Sequence, residues 1–419
     1  MNSALSSFAS RLAVVKPSPS MAAKQRVDSM RAAGRTVIDF TIGEPDFPTP
    51  PHIVEAGLEA LSSGQTRYTA SPGVPALRAA IAAKLARENG LIYAPEQVVV
   101  GCGAKHVIYD ALAATLNEGD EVIVPAPYWV SYPDMVALQG GRPVIVACDE
   151  VSGFKLSAES LEAAITPRTR WLILNSPNNP TGAVYSRQEM QALCDVLSRH
   201  PHVWLLTDEI YEHFVYGGAE HVSPLALAPH LQDRTLVVNG FSKAYAMTGW
   251  RLGYGAGPLP LTKAITLLLT QSTTCASSVS QVAGIRALEG PQVCVAEAAA
   301  VFQARRDRMV AGLSAVPGVR CLAPQGAFYA FPSVRGLLGA RTQAGHTLAS
   351  DADVMTYLID EVGLATIDGT SYGMPGHLRM SFATSLEQIE AGCAAMAQAV
   401  RRLLPSTAPS TPTKENTHA

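Results

Sequence analysis

From about residue 50 the hydrophobic pattern alternates between helix and strand. "TPPHIVEAGLEALSSG" reads as a helix with proline near its first turn and Gly64 at its end. "PALRAAIAAKLARENG" reads as a second, ending at Gly90. Short apolar runs follow, separated by helical patterns: "VVVG", "EVIVPAP", "RPVIVAC", "WLILNSP", "VWLLTDEI", "TLVVNGF" and "WRLGYGAG". Runs without polar alternation are strands buried on both faces. Alternating with helices, they predict an α/β fold: a mostly parallel sheet with helices on both sides.

After about residue 290 the rhythm changes. A long helical stretch, "AEAAAVFQARRDRMVAGLSAV", leads into "AFYAFPS" and "HLRMSFA", which read as strands of a smaller α+β domain. "LEQIEAGCAAMAQAVRRLL" predicts a closing helix. The expected organisation is an N-terminal segment 1–45 packing on the small domain, a large domain 46–290, a small domain 291–404 and a disordered Pro/Ser/Thr-rich tail 405–419.

Composition narrows the function classes. The chain has 419 residues, 47% apolar and 16% charged, enough for a large interior divided in two. Its formal net charge is −3 and no basic block appears, so nucleic acid is not an expected partner. The seven cysteines are odd in number and form no Cys-x-x-Cys pair, which argues against a disulfide framework or a zinc site. A reducing cytoplasm fits them. No run is long enough to span a bilayer, and the N-terminus makes a poor signal peptide, so no membrane role is expected.

One stretch raises a chemical question. "NGFSKAYAMTGWRLGY" sets a single lysine, Lys243, among small and aromatic residues, with Arg251 eight positions on. A desolvated ammonium is costly unless it pairs or loses its proton. A neutral amine can attack an aldehyde to give a Schiff base. Ligands of an open parallel sheet gather at the strands' C-terminal ends. Four stretches fall there: "GCGAKH", "NSPNNPTG", "TDEIY" and "NGFSK".

Each has an ordinary reading too. "GCGAKH" lacks the third glycine of a dinucleotide loop, because position 106 is His; it reads either as a plain strand–helix turn or as a helix start presenting N–H groups to one phosphate. Asp208 is either a helix cap or a carboxylate that keeps a pyridine nitrogen protonated. Asn179 is either turn chemistry or a donor to a phenolic oxygen. Arg251, between Trp250 and Leu252, suits a phosphate.

Together these residues support a resemblance. "GFSKAYAMTGWRLG" resembles the pyridoxal-phosphate attachment motif of the class I/II aminotransferases (fold type I), and "NNPTG", "TDEIY" and "HLRMSFA" resemble that family's other markers in the right order. The likeness covers roughly residues 15–400. "GEPDF", "APYWVSYPDM", "NSPNNPTGAVY" and "MTGWRLGY" are most similar to bacterial aspartate aminotransferases of the type also found with prephenate activity.

The resemblance implies pyridoxal 5'-phosphate as cofactor, amino acids and 2-oxo acids as substrates, and a homodimer with shared active sites. It implies that Lys243 carries the cofactor and shuttles the proton, and that Asp208 pairs with the ring nitrogen. Tyr211 and Asn179 would contact the phenolic oxygen, and Trp129 would stack on the ring. Gly103, Ala104, Lys105, Ser242 and Arg251 would surround the phosphate, helped by Tyr68 from a second subunit. Arg379 would grip the substrate α-carboxylate, with Gly43 and Asn179 nearby.

Two departures matter. A serine that some aspartate aminotransferases carry three residues before the lysine is Gly240 here, and no arginine lies between Arg251 and Arg286 to cross a dimer. A distal substrate carboxylate would therefore fall to Lys105, with Lys16 and Ser20 closing over the same end. Lys105 also has a bland reading, with its stem simply reaching solvent. Aspartate with 2-oxoglutarate is the favoured pair, and a prephenate or aromatic transaminase the alternative. A β-lyase, a racemase or a ligand-sensing domain without catalysis stands behind these.

Overall fold

The computed structural model describes residues 8–17 and 19–404, without the side chain of Ser20; the expected tail 405–419 lies outside the described residues. Seven strands form the main sheet, in the order Val98–Gly101, Gly253–Ala256, Thr235–Gly240, Trp204–Asp208, Thr169–Asn175, Glu121–Ala126, Arg142–Ala147. Six run parallel, and Gly253–Ala256 runs against both its neighbours. The apolar runs seen in the sequence are these strands. Residues 235–240 and 98–101 are buried throughout, whereas the edge strand Arg142–Ala147 is only partly covered.

One expected run begins later than its hydrophobicity suggested. "WRLGYGAG" enters the sheet only at Gly253, because residues 249–252 form a turn in which Arg251 takes a φ of 54°. Helices flank the sheet on both faces. Pro51–Ser62 and Pro75–Asn89 each start on proline, and Pro75–Asn89 ends on left-handed Gly90. Arg187–Arg199 carries the reciprocal cap of Ser186 and Glu189, a device worth about 1 kcal/mol.

A second core gathers around the three-stranded antiparallel sheet Ile367–Asp368, Leu378–Ser381, Tyr329–Ala330. The helices Val293–Ser314 and Leu386–Arg401 pack together there, so closely that a Cβ on Gly312 would lie 2.6 Å from the Cys393 sulfur. The N-terminal segment divides. Helix Pro19–Ala32 leans on this second core through Val27 and Met30 against Ile359 and Ala365, and Ile38–Asp39 pairs in parallel with Leu364–Ala365. The turn Ser10–Val14 lies instead against Ser131–Leu138, on the flank of the large sheet. Among the described residues no helix is long and apolar enough to cross a membrane.

Candidate active site

The parallel strands end on one edge, and that edge carries the chemistry. Gly101, Asn175, Asp208 and Gly240 close four of them. The antiparallel strand contributes its beginning to the same edge, since Gly253 is in register with both Gly101 and Gly240. The approach is tight: a Cβ on Gly253 would sit 2.2 Å from the Ala104 nitrogen. Only glycine lets the strand pass the helix start there.

Helix Ala104–Thr115 opens at Gly103, which has a φ of 91° and offers no side-chain cap. Among the described residues the amides of Ala104 and Lys105 donate to no acceptor within the chain. Arg251 closes over this opening. Its Nη1 donates to Thr248 O (2.8 Å) and its Nη2 to Cys102 O (3.3 Å), while the residue stays exposed. Open amides at a positive helix end, beside a guanidinium, form an anion cradle. Ser242 lies in the turn that follows Gly240.

Lys243 sits in that turn, half-buried, with Nζ 2.6 Å from Gly43 O and under 6 Å from the rings of Tyr211 and Phe328. Burial is the main cause that pulls its pKa down to about 8, helped by Arg379 and Arg251 and opposed by Glu44 and Asp208. Asp208 is buried. Its Oδ2 accepts from the Tyr132 phenol at 2.7 Å and its Oδ1 from the Ile210 amide at 3.2 Å. Desolvation outweighs these bonds and raises its pKa to about 6. A buried carboxylate so raised is ready to share a proton with a cationic ring nitrogen.

Asn179 is buried, and its Oδ1 has no hydrogen-bond partner. Its amide donates to Asn175 Oδ1, and Asn175 Nδ2 donates to Asp208 O, so one side chain ties the two stretches together. The Tyr211 and Tyr329 hydroxyls are 3.0 Å apart. Trp129 meets Tyr132 edge-on, and the Lys105 ammonium rests 4.6 Å from the Trp129 ring centroid. Desolvation, then the charge of Arg251, hold the Lys105 pKa below its ordinary value.

Arg379 completes the cluster. It is buried, donates to Thr41 O at 2.6 Å, and lies over the rings of Tyr329 (4.7 Å) and Tyr372 (5.3 Å). Its Nε has no hydrogen-bond partner. A buried guanidinium with open donors favours a carboxylate guest.

The structure thus links Gly43, Gly103, Ala104, Lys105, Trp129, Asn179, Asp208, Tyr211, Lys243, Arg251 and Arg379 at the strand ends, with Ser242 next to Lys243 in the chain. It does not bring Tyr68, which is 86% exposed. Lys16 is exposed and opposes the burial that raises the pKa of Asp134. The Ser20 side chain lies outside the description. The sequence reading did not single out Tyr132, Tyr329 or Tyr372. The first lies in "APYWVSYPDM" and the second in "AFYAFPS", where only strand character was noticed.

A second polar group lies beneath. Lys84 bonds Glu212, which also accepts from Asn239 and Asn89, and Glu209 accepts from Ser223 with His221 3.1 Å away. The carboxylates and imidazoles come close enough for a metal ion. The ammonium of Lys84 already bonds Glu212, so this is a buried ion-pair network.

Comparison with known proteins fixes the class. Residues 35–396 match the family described as aminotransferase class I and II. The chain is 50% identical, over 91% of its length and 96% of the relative's, to the "aspartate/prephenate aminotransferase" of Cereibacter sphaeroides. The crystal structure of the Rhizobium meliloti aspartate aminotransferase is 47% identical and superposes with a TM-score of 0.93 over 95% of this chain and 99% of that one. The Thermus thermophilus aspartate aminotransferase with maleate is 39% identical, with a TM-score of 0.88 over 94% and 99%. The chain belongs to the class I and II aminotransferases. It is a pyridoxal-phosphate-dependent enzyme, and the resemblance drawn from its motifs holds over the whole fold.

The residues present fit that cofactor. The uncapped helix start and Arg251 suit its phosphate, the buried Asp208 with its raised pKa suits its ring nitrogen, and Lys243 suits its aldehyde carbon.

Proposed function

We propose that the enzyme transfers the amino group of aspartate to 2-oxoglutarate. The observation that carries this reading is a pair of cations around Lys243: buried Arg379, whose charge reaches the Lys243 ammonium, and Lys105 over Trp129, beside the Arg251 that also reaches it. A dicarboxylate can meet both at once. The names of the Rhizobium and Thermus relatives, the latter with the dicarboxylate maleate, point the same way.

When bound, pyridoxal phosphate supplies an electron sink for charge left at the substrate's α-carbon. The chain supplies the rest. Arg379 clamps the α-carboxylate through its open N–H groups and so sets which bond stands across the ring. Lys243, whose burial brings its pKa down to about 8, would hold the cofactor and, once freed, would move the proton at its Nζ. Asp208, held by Tyr132, would keep the proton on the ring nitrogen. Asn179 and Tyr211 would contact the phenolic oxygen. Trp129 would cover the ring, and Arg251 with the Ala104 and Lys105 amides would hold the phosphate. Ser242, Gly103 and Gly43 shape the walls.

Residues 46–290 act as the cofactor platform and residues 291–404, which carry Arg379, as the part that closes. Lys16 and Ser20 would cover the distal end. Tyr68, so exposed in one chain, would complete the phosphate site of a second copy in a homodimer. Prephenate also carries two carboxylates, and the name of the Cereibacter relative favours it as a second acceptor. Steady-state rates with aspartate, glutamate, phenylalanine and tyrosine as donors, against 2-oxoglutarate and prephenate, test both readings. Equal efficiency for phenylalanine and aspartate would exclude the dicarboxylate preference.

A further inference from the structure

His106 stands in the first turn of the helix that opens the anion cradle, and the resemblance assigns it nothing. Its Nδ1 accepts the Cys102 amide at 3.2 Å. That bond requires Nδ1 to be unprotonated, so Nε2 carries the hydrogen. Nε2 points along the helix to Asp110 Oδ2, also at 3.2 Å. The approach is too poorly aligned for a full hydrogen bond, and Oδ2 has no other partner. Asp110 is only 4% exposed, and burial raises its pKa, with His106 opposing the rise. A carboxylate behind an imidazole selects one tautomer and one ring orientation.

The same cysteine is held from its other side. Cys102 O accepts Arg251 Nη2 at 3.3 Å. Asp110, His106, Cys102 and Arg251 thus form one connected line under the turn 101–103. Gly103, which follows, has a φ of 91° and no side chain to stiffen the loop. Without the imidazole, the Cys102 amide would be free to turn toward any anion in the cradle and the loop would relax.

We propose that His106, steered by Asp110, is a positioning residue for the cofactor phosphate: it holds the Cys102 amide so that the open amides of Ala104 and Lys105 and the Arg251 guanidinium face one anion. The inference rests on reading this turn as the phosphate site. An ordinary packing role for His106 predicts something different, namely loss of stability without preference for the phosphate.

Binding to the full chain of pyridoxal phosphate, and of pyridoxal lacking the phosphate, separates these readings. His106→Leu should weaken pyridoxal phosphate roughly five- to tenfold, the value of one lost hydrogen bond, and leave pyridoxal within about twofold, well under one such bond. His106→Asn, whose Oδ1 can occupy the place of Nδ1, should recover most of the loss. Asp110→Asn, which keeps volume and shape should the leucine variant fail to fold, should show a smaller loss confined to pyridoxal phosphate. Equal weakening of both compounds, or an asparagine variant no better than leucine, would overturn the proposal. So would unchanged phosphate-dependent affinity in His106→Leu and Asp110→Asn. If the unaltered protein itself bound both compounds equally, the phosphate-site reading would fail first, independently of His106.

Discussion

Lys243 Nζ lies 2.6 Å from the carbonyl oxygen of Gly43, a residue 200 positions earlier in the chain. The contact joins the sheet edge to the segment that leads into the main fold. It also gives the ammonium a single neutral acceptor where an ion pair would be expected. Burial therefore prevails over pairing, and the lysine pKa falls to about 8.

That setting fixes a pH dependence. Only the neutral amine attacks an aldehyde, so capture of pyridoxal phosphate by the cofactor-free protein should quicken as pH rises through about 8 and then level off. An ordinary lysine would level off only near 10.5. Borohydride reduction followed by peptide mapping should place the pyridoxyl group on Lys243. A midpoint above pH 10, or label on another lysine, would refute the assignment. Lys243→Ala should lose several orders of magnitude in turnover, since both attachment and proton transfer go with it.

Asp208 trades stability for function. Its folded pKa of about 6 exceeds the ordinary aspartate value of 3.8. Between these values the folded, cofactor-free chain binds more protons than the unfolded one, so stability falls as pH rises across that window. Below about pH 4 the penalty is absent, and above about pH 6 it is complete. Asp208→Asn removes the charge but keeps the shape, and the Tyr132 hydroxyl can rotate to accept from the new amide. We expect the variant, without cofactor, to be about 1–3 kcal/mol more stable at pH 7.5 and unchanged at pH 3.5. Its turnover should nevertheless collapse. Chemical denaturation at the two pH values is the check, and a variant less stable at pH 7.5 would contradict it.

Much of this crevice was legible because the relevant residues sit within a few positions of a strand end. "TDEIY", "NSPNNPTG" and "NGFSK" each follow a continuous apolar run, and such runs announce their own ends. The partners were less legible. Tyr132 reaches Asp208 from 76 residues away, and Tyr329 meets Tyr211 across 118. Neither contact has a local pattern, since a tyrosine in an apolar stretch looks like core wherever its hydroxyl points. The Ser10–Val14 turn went to the other core for a similar reason: its short apolar pattern does not say which helix will cover it. The reversed strand was also hidden, because Gly253–Ala256 is as apolar as its parallel neighbours. The glycines carried the clue, but their meaning is steric and appears only when Gly253 is seen against Ala104.

That steric relationship is testable. In Gly253→Ala the new Cβ would fall 2.2 Å from the Ala104 nitrogen and 2.6 Å from the Gly103 carbonyl carbon, both backbone atoms with no rotamer to yield. The helix start must shift, and the cradle shifts with it. Overpacking of this kind costs about 1–3 kcal/mol. A lowered melting temperature together with weaker binding of pyridoxal phosphate is expected. Gly249→Ala is the control, since nothing lies within 4 Å of its Cβ position. Equal behaviour of the two variants would show that the close approach is not a constraint.

The substrate preference turns on two cations with different duties. Arg379 should take the α-carboxylate of every donor, so Arg379→Ala should impair all donors alike. Lys105 should take only the distal carboxylate. Its ammonium is already desolvated against Trp129 and repelled by Arg251, which makes an incoming carboxylate a favourable partner. A charge-assisted contact of this kind is worth about 1.5–3 kcal/mol, or roughly ten- to hundredfold in kcat/KM. Lys105→Ala should lower kcat/KM for aspartate and glutamate by that factor, and for phenylalanine much less. Its backbone amide remains in the cradle, so cofactor binding should be largely retained. The decisive quantity is the ratio of aspartate to phenylalanine efficiency, measured in the unaltered enzyme and in Lys105→Ala at saturating cofactor. A ratio that does not move would mean that the lysine merely rests on Trp129, and that the distal carboxylate is met by a group the crevice of one chain does not contain.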